Sequence, residues 1–584
     1  MHQHQEQRSL ADILRHGSLE FDQQLQKILV NPDYAVTETQ SQQQRRQNAY
    51  DQLANLAQEV GGTRDIAIDL PRLFAIFDWA AVLATDLVPL ISGHYNLATG
   101  SLSTLTDSDT AAPYLRDLDD ASSIGVMLLT EFGCGSNIQF MQTRATWNGT
   151  GFTLHTPTPR ARKFMPSIGI PVSRVCVVGA RLIDSTGTDH GVHAFAARLR
   201  GPDGEVAPGV TITPLDHQPL VIMDNSVISF DTLRLERAAW LSNDLATIDD
   251  NGVLTWRDED SRRRSFASAT SQLTVGRLAL ASALNSTARA SLYIALRYAA
   301  KRAVPLTKFD TPHMIELPHV RDTLLTDLAG TLARTLYGNA VKTQLATSDL
   351  TGHDTVVAVM LAKHYIQLHA LDTVTHCRIR MGAQGMFSAN RIADYLGVCH
   401  GGITGEGDCH VMGSYGGRVL AKHLAGKRPP ETRIYDPADE SEQLGLFHAR
   451  TLTIVDETQQ YLTTPGLDAR MAVIPEALSL AEAYSAEEAL QILHRYADHP
   501  EIAAVRAVFA LSYLSQHALW YLNHGMLDLA AVNTIEQNRR AALDTLADQL
   551  PAVLDALGLD DEKLGAPALS DDIPGAWESR CHTA

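Results

Sequence analysis

Apolar residues change their spacing twice along the chain. Over residues 1–120 they recur every three or four positions, as on one face of a helix, and Ser9 precedes the first such run as a candidate N-cap. From about Ser123 to Trp240 they alternate with polar residues, as in VSRVCVVGARL, GVHAFAARLR and VISFDTLRL, which is typical of strands. Helical spacing returns from Asp258. The pattern predicts one β domain between helical regions.

Long helices follow the predicted β domain. The first, Thr274–Lys301, is expected to be amphipathic, because one of its faces carries Leu280, Leu284, Ala288, Leu292 and Ala295. Further helices are predicted at 316–347, 352–380 and 410–425. Four long helices in succession favour a bundle.

Two stretches interrupt the helical regions. The sequence HYNLATGSL (His94–Leu102) is expected to break the first one, and Pro429-Pro430 with the acidic segment Asp436–Glu442 marks a boundary after the bundle. We therefore expect a mainly α fold with a central β domain. Its four parts are an N-terminal helical domain at 1–122, a middle β domain at 123–245, a helical bundle at 258–428 and a C-terminal helical domain at 440–584.

Charge and composition narrow the range of partners. A formal net charge of −19 over 584 residues disfavours binding to nucleic acid or to anionic membranes. The six cysteines have no CxxC spacing and no HExxH occurs, so no metal site is predicted. No run of about 18 uncharged apolar residues occurs, and no membrane span is expected. The N-terminal MHQHQEQRSL has no apolar segment and the C-terminal CHTA differs from a peroxisomal Ser-Lys-Leu, so a cytoplasmic location is expected.

Glu406 is the first candidate for chemistry. It lies in CHGGITGEGDCHVM between Gly405 and Gly407, just before a predicted helix. A ligand can approach a carboxylate on a glycine turn closely, and apolar surroundings that raise its pKa would suit a general base near neutral pH. The same position also fits a carboxylate that interacts with the dipole at a helix N-terminus. The residues alone leave both roles open.

Three other segments have a functional and a structural interpretation. Gly382-Ala383-Gln384-Gly385 is either the stop of the preceding helix or a close backbone approach to a cofactor. Arg302 either offsets the C-terminus of its helix or pairs with a phosphate. The turn Gly133-Cys134-Gly135-Ser136 exposes N–H groups but lacks the full GxGxxG of a dinucleotide site. Cys134 has no evident partner base, so we expect it to be a spectator thiol.

Four segments carry motifs at matching intervals. They are LTEFGCGSN (Leu129–Asn137), TPTPRARKFMP (Thr156–Pro166), ALRYAAKR (Ala295–Arg302) and RMGAQG…NRI…TGEGD (Arg380–Asp408). Together they resemble the acyl-CoA dehydrogenase/oxidase superfamily, most like its longer acyl-CoA oxidase branch. The resemblance covers roughly residues 70–425 and implies that family's fold, with a barrel-like middle β domain and an extra C-terminal helical domain.

The resemblance implies an FAD-dependent α,β-desaturation of an acyl-CoA thioester to a trans-2-enoyl-CoA. Glu406 stands where the family has its base, which removes the α-proton while the β-hydrogen leaves as hydride to flavin N5. In an oxidase, O₂ then takes the electrons and gives H₂O₂. A homodimer is also implied, because the family's FAD sites are shared between two subunits.

Eight further residues are implied to line the FAD site: Thr130, Gly135, Ser136, Ser167, Arg302, Gly382, Ala383 and Gln384. By this resemblance Thr130 contacts the flavin pyrimidine edge, Ser167 lies by the reactive edge and Arg302 reaches the phosphates of a neighbouring subunit's FAD. Three departures stand out. Ser167 replaces a glycine after Pro166, Ala303-Val304-Pro305 replaces Gln-Phe-Gly, and Cys409 replaces an asparagine.

Two other functions are compatible with the same residues. One is an acyl-CoA or acyl-carrier-protein dehydrogenase of a biosynthetic pathway that passes electrons to a flavoprotein. The other is a flavin-free member that acts as a binding or scaffold subunit. Whether the purified protein is yellow and releases FAD on denaturation would separate the last from the others.

Overall fold

The computed structural model describes residues 8–35, 40–215, 220–307, 310–430 and 432–581. The N-terminal and C-terminal sequences quoted for localisation lie mostly outside those residues. The first region is helical, and Ser9 caps its first helix as predicted, accepting a hydrogen bond from the Asp12 amide. The helices are α1 Leu10–Leu14, α2 Leu19–Leu29, α3 Gln42–Glu59, α4 Arg64–Ile68, α5 Leu70–Leu83, α6 Val88–Ile91, a π-helix Ser92–Gly100, α7 Ser101–Thr104 and α8 Ser108–Asp119.

The break predicted at His94–Leu102 is wrong, because the backbone stays helical there as the π-helix and α7. The polar side chains that weakened the apolar pattern are buried, and some of them have tertiary partners: His94 Nδ1 accepts the Gly125 amide at 2.9 Å. Asn96, for example, donates to the Gln272 carbonyl at 3.0 Å. Long-range hydrogen bonds of this kind leave no signal in the spacing of apolar residues. Wide π-helical turns are rare and are frequent at functional sites.

The middle region contains all twelve described strands. They are β1 Ile124–Leu128, β2 Arg144–Trp147, β3 Gly151–His155, β4 Lys163–Ser167, β5 Arg174–Ile183, β6 Asp189–Arg200, β7 Val210–Pro214, β8 Asn225–Phe230, β9 Leu233–Glu236, β10 Trp240–Leu241, β11 Ala246–Ile248 and β12 Leu254–Trp256. The main sheet has the order β10-β6-β5-β2-β3-β9, with β1 also paired to β5 in parallel. A second sheet has the order β4-β8-β7, and β11 pairs with β12.

One predicted strand is divided between the two larger sheets. VISFDTLRL forms the end of β8 and most of β9, which belong to different sheets. The chain turns between them at Thr232, where φ is +60°. A residue whose backbone is in the left-handed region ends a strand. The alternation of apolar residues does not reveal such a turn.

The bundle helices are α9 Glu259–Ala269, α10 Gln272–Lys301, α11 Pro318–Ala346, α12 His353–Arg380, α13 Ile392–Gly402 and α14 Cys409–His423. The expectation that α10 has a single apolar face is wrong, because it is buried along almost its whole circumference. It packs against α5, α11, α12 and α13. A helix surrounded in this way is the interior element of the bundle, and its small residues allow close approach of neighbouring groups.

The last helices are α15 Glu440–Thr463, α16 Leu467–Arg495, α17 Pro500–Gln516, α18 Ala518–Asn523, α19 Leu529–Ala556, α20 Asp561–Leu564 and α21 Ile573–Cys581. Helices α15–α17 and α19 cover the outer faces of α11, α12 and α14. The chain then returns to the end of α10, where Arg297 pairs with Asp561 at 2.6 Å. Within the described residues, no helix is both long and apolar enough to cross a membrane.

Candidate active site

Glu406 lies on the loop between α13 and α14, in a backbone conformation that residues other than glycine rarely adopt. Its φ is +54° and that of Gly407 is +108°, so two successive residues pass through the left-handed region. Asp408 caps α14, since its Oδ1 accepts hydrogen bonds from the amides of His410 (2.8 Å) and Val411 (3.2 Å). The helix-terminal role considered for Glu406 therefore belongs to Asp408.

The Glu406 carboxylate lies against the π-helix and α10. Ser92 Oγ donates to Oε1 at 2.6 Å. Oε2 is buried and has no hydrogen-bond partner among the residues that the structure describes. A Cβ atom at Gly276 of α10 would lie 1.9 Å from Oε2 and 2.4 Å from Asn96 Nδ2. Glycine at this position therefore makes room for a carboxylate that has one bonded oxygen and one open oxygen.

Burial raises the pKa of Glu406 from its ordinary 4.5 to about 7. Loss of water is the largest cause, and the hydrogen bond from Ser92 and the charges of Lys363 and Arg277 oppose it. A carboxyl group with a pKa near 7 can take up a proton and release it again at neutral pH. Glu406 thus has the property that the sequence interpretation as a general base requires.

The turn after β1 presents Thr130, Gly135 and Ser136 to solvent. Gly135 has a φ of +51°, and no atom lies within 4 Å of the position of a Cβ there. The Thr130 carbonyl accepts a hydrogen bond from the Phe164 amide of β4 at 2.9 Å. The turn is therefore open on its outer side and tied to a strand on its inner side, which leaves its backbone accessible to a flat ligand. Nearby Cys134 is half-buried, and burial raises the pKa of its thiol, which fits a spectator.

A buried ion pair holds this turn to β4. Lys163 Nζ lies 3.1 Å from Glu131 Oε1 and 3.2 Å from the Leu129 carbonyl. The two oxygens of Glu131 also accept the amides of Gln142 (2.7 Å) and Thr143 (3.0 Å). Glu131 therefore joins both ends of the turn to one strand.

Ser167 is buried at the end of β4. Its Oγ donates to Asn225 Oδ1 of β8 at 3.1 Å. The residues before it form a bulge, where exposed Met165 has a φ of +71°. The hydroxyl that replaces the family's glycine is thus bonded within the sheet, on the strand joined to the Thr130 turn.

The other predicted cofactor residues lie at the far ends of two long helices. Gly382, with a φ of +55°, Ala383 and Gln384 begin a 3₁₀ turn directly after α12, as a helix stop requires. About 25 Å of helix separates them from Lys363, which contacts the Glu406 loop. Arg302 is exposed at the end of α10, about 40 Å along that helix from Gly276. One chain therefore does not bring these residues together with Glu406.

Comparison with known proteins identifies the fold that carries these residues. Residues 271–421, which contain α10 to α13 and most of α14, match the family model "Acyl-CoA oxidase, C-alpha1 domain". The structure superposes on that of acyl-CoA oxidase1 from Yarrowia lipolytica with a TM-score of 0.84 at 21% identity, covering 99% of this chain and 92% of that one. The chain has the acyl-CoA oxidase fold. The predicted fold class is confirmed, and so is the resemblance to acyl-CoA oxidases that the sequence motifs indicated.

Two further proteins share this likeness. Acyl-CoA oxidase-1 of Caenorhabditis elegans, solved as a complex with FAD and ATP, superposes with a TM-score of 0.84 at 18% identity over 98% of this chain and 91% of that one. The Arabidopsis thaliana protein named "Acyl-coenzyme A oxidase 3, peroxisomal" is 26% identical over 399 residues, 66% of this chain. The chain matches only 58% of the length of that relative.

Within the acyl-CoA oxidase fold, sequence reasoning missed the residues that support Glu406 and the Thr130 turn. Ser92 lies two residues before the stretch predicted to break the helix, and it is 314 residues from Glu406. Glu131 and Lys163 stand inside the quoted motifs, but the motifs give no sign that the two side chains pair. Arg160 and Arg162 stand in the same segment as Lys163, so the sequence did not indicate which cation pairs with Glu131.

Proposed function

We propose that the protein is an FAD-dependent enzyme that introduces a trans double bond between the α- and β-carbons of an acyl-CoA thioester, with Glu406 as the base for the α-proton. The observation that carries this proposal is the Glu406 carboxylate itself. One oxygen is held by Ser92, and the other is buried without a hydrogen-bond partner in the part of the chain that the structure describes. A buried polar atom that its own chain leaves unpaired is costly unless a ligand or a reaction uses it.

The chain's residues fit an FAD molecule at the turn after β1. The turn offers open space beside Gly135 and an exposed Thr130, and the Glu131–Lys163 pair fixes its backbone. Such exposed N–H and hydroxyl groups can hydrogen-bond the polar edge of a flavin. Thr130, Gly135 and Ser136 would hold the flavin, with β4 and Ser167 behind it.

The chain supplies a base and keeps it in place. Ser92 fixes Oε1, so we assign the uptake of the α-proton to Oε2, which makes Glu406 neutral. When bound, FAD supplies the two-electron acceptor for the hydride that leaves the β-carbon. Loss of one proton and one hydride from neighbouring carbons leaves the enoyl thioester, and the neutral Glu406 returns its proton before the next turnover.

We infer that O₂ is the final acceptor, because the similar proteins are named oxidases. One proton, one hydride and O₂ then give H₂O₂, which closes the balance. Electron transfer to a flavoprotein, or a carrier-bound acyl group, is the competing function. The Arabidopsis relative is named peroxisomal. The cytoplasmic location expected from this sequence stays a prediction.

We also infer a homodimer. Gly382–Gln384 and Arg302 lie about 25 and 40 Å along their helices from residues that contact the Glu406 loop. A second copy can bring these helix ends to the Thr130 turn of the first. Size-exclusion chromatography with light scattering should give twice the chain mass, and a monomer that retains FAD would exclude a shared site.

The central test is anaerobic mixing of the FAD-loaded protein with acyl-CoAs of increasing chain length. Bleaching of the flavin by at least one of them is expected, together with one equivalent of enoyl-CoA. Admission of air should restore the flavin colour quickly and release one equivalent of H₂O₂. Slow return in air with fast return on adding an electron-transfer flavoprotein would assign a dehydrogenase instead. A colourless protein that binds no FAD would point to the scaffold function.

A further inference from the structure

Lys363 of α12 is fully buried, yet among the described residues its ammonium is bonded only to neutral oxygens. Its Nζ donates to the Gly405 carbonyl at 2.6 Å and to Gln367 Oε1 at 3.0 Å. Two other buried lysines each have a carboxylate partner at 3.1 Å, namely Glu131 for Lys163 and Asp78 for Lys342. A buried ammonium without a bonded carboxylate is costly, so its presence here needs a reason.

The group that can offset the charge of Lys363 is Glu406, which directly follows Gly405 in the chain. Burial lowers the pKa of Lys363 to about 8, and the nearby Cys409, Glu406 and Asp408 oppose this shift by favouring its charged form. Burial raises the pKa of the Cys409 thiol to about 11, so Cys409 is neutral at pH 7. Asp408 is occupied by the amides at the start of α14. Of these three groups Glu406 remains, and its Oε2 accepts no hydrogen bond from the described residues.

Backbone geometry gives Lys363 a second role. The Gly405 carbonyl immediately precedes Glu406, whose φ is +54°. On the other side, Arg277 Nε donates to the Glu406 carbonyl at 3.1 Å. A buried lysine and a half-buried arginine therefore hold two successive carbonyls of a turn whose backbone is strained. Together with the hydrogen bond from Ser92, these contacts keep the carboxylate at the Gly276 surface.

We propose that Lys363 is a positioning residue for Glu406, which anchors the turn through the Gly405 carbonyl and favours the ionised carboxylate through its charge. The proposal rests on the proposed function only in calling Glu406 the base. The coupling between the two side chains can be measured without any substrate.

The groups around this pair are few. Arg277 faces Glu406 from α10, and it favours the ionised form as Lys363 does. Asp408 and Cys409 follow Glu406 in the chain and act on Lys363 as described above. From the π-helix, Ser92 and Asn96 approach the carboxylate, and neither side chain titrates. A shift in the titration of Glu406 after substitution of Lys363 alone can therefore be assigned to Lys363.

The first test measures the free energy of unfolding of the full chain with FAD between pH 5 and 9, for Lys363→Met with and without Glu406→Gln. Because burial raises the pKa of Glu406 from 4.5 unfolded to about 7 folded, its contribution to stability is lost as pH rises through that window. Loss of a nearby cation should move the upper end of the window higher by about one pH unit. An unmoved window would overturn the proposal.

Lys342→Met is the matched control. Lys342 is buried in the same bundle and bonded to Asp78 at 3.1 Å, away from the Glu406 loop. Its substitution should lower stability at all pH values and leave the Glu406 window where it is. An equal shift in this control would show that any buried cation has the effect, and would contradict a specific role for Lys363.

The second test is the pH profile of anaerobic flavin bleaching by an acyl-CoA. Lys363→Gln keeps a donor for the Gly405 carbonyl without the charge, and it also serves if Lys363→Met does not fold. We expect its acidic limb to move up by about one pH unit, with a bleaching rate at pH 9 within about threefold of the wild type. A rate lost equally at every pH would overturn the proposal. If the wild type never bleaches but the stability window still shifts in Lys363→Met, the coupling between Lys363 and Glu406 is supported. The proposed desaturase activity is then refuted.

Discussion

Two of the carboxylates that lie beside buried lysines are built in opposite ways. In the β domain, Glu131 accepts the ammonium of Lys163 and two backbone amides within 3.1 Å. In the bundle, Glu406 accepts one hydroxyl, and the ammonium of Lys363 is bonded to a carbonyl instead. Both oxygens of the first carboxylate have hydrogen-bond partners, whereas the second has a buried oxygen without a partner among the residues that the structure describes.

The difference separates a structural carboxylate from a reactive one. Several hydrogen bonds stabilise the charge of Glu131 and fix its position. Glu406 has been desolvated without full compensation, which raises its pKa to about 7. Substitutions at the two sites should therefore affect different properties, the first stability and the second proton transfer.

The largest effect is expected from Glu406→Gln. The amide keeps the shape but cannot take a proton, so anaerobic bleaching by an acyl-CoA should slow by about a thousandfold or more. FAD content and the unfolding midpoint at pH 6 should stay close to the wild type, because the neutral amide resembles the protonated acid. Bleaching at the wild-type rate would show that Glu406 is not the base.

Glu131→Gln comes next and should act on stability. Both side chains of the pair are almost fully buried, at 0% and 1% exposure, so a lone Lys163 would cost about 3–5 kcal/mol of unfolding free energy. Chemical denaturation would measure this loss. The double variant Glu131→Gln/Lys163→Met should lose less than the sum of the two single variants. If the loss is small and only bleaching is affected, the contrast between the two carboxylates fails.

Gly276→Ala tests the space around the open oxygen. Its Cβ would lie 1.9 Å from Glu406 Oε2, so the carboxylate or α10 must move, at a cost of about 1–3 kcal/mol in stability. Bleaching should slow by about a hundredfold because the base is displaced. Gly338→Ala on α11 is the control, since its Cβ meets only the tip of Ile366 at 3.3 Å. Equal losses of activity in both variants would contradict a specific clash.

The parts of the site that depend on local backbone conformation could be predicted from the sequence. Gly135, Gly382 and Gly407 have φ values of +51°, +55° and +108°, and glycine turns of this kind are visible as motifs. Glu406 was found because it stands in such a turn. The four-part order of helical and strand regions was also readable from the spacing of apolar residues.

Residues that act through long-range contacts were not predicted. Ser92 meets Glu406 across 314 positions, and Lys363 meets Gly405 across 42. Each has other polar residues near it in its own helix, so the sequence pattern does not single it out or show its partner. The same cause hid the π-helix and the all-round burial of α10. The spacing of apolar residues shows which face of a helix is buried, but not which side chain contacts that face.

Ser92→Ala is expected to have the smallest effect and gives the finest test of the contrast. The 2.6 Å hydrogen bond from Ser92 favours the ionised carboxylate, so its loss raises the pKa of Glu406 further above 7. Bleaching at pH 7 should then slow by about three- to tenfold and recover by pH 9, with the acidic limb moved up by about half a pH unit to one unit. Ser282→Ala is the matched control, because Ser282 donates an equally short bond, 2.6 Å, to Asp78 in the same bundle. A rate that stays low at pH 9 would mean that Ser92 aims the carboxylate and does not set its charge, whereas a shift in the control would mean that the profile follows the bundle as a whole.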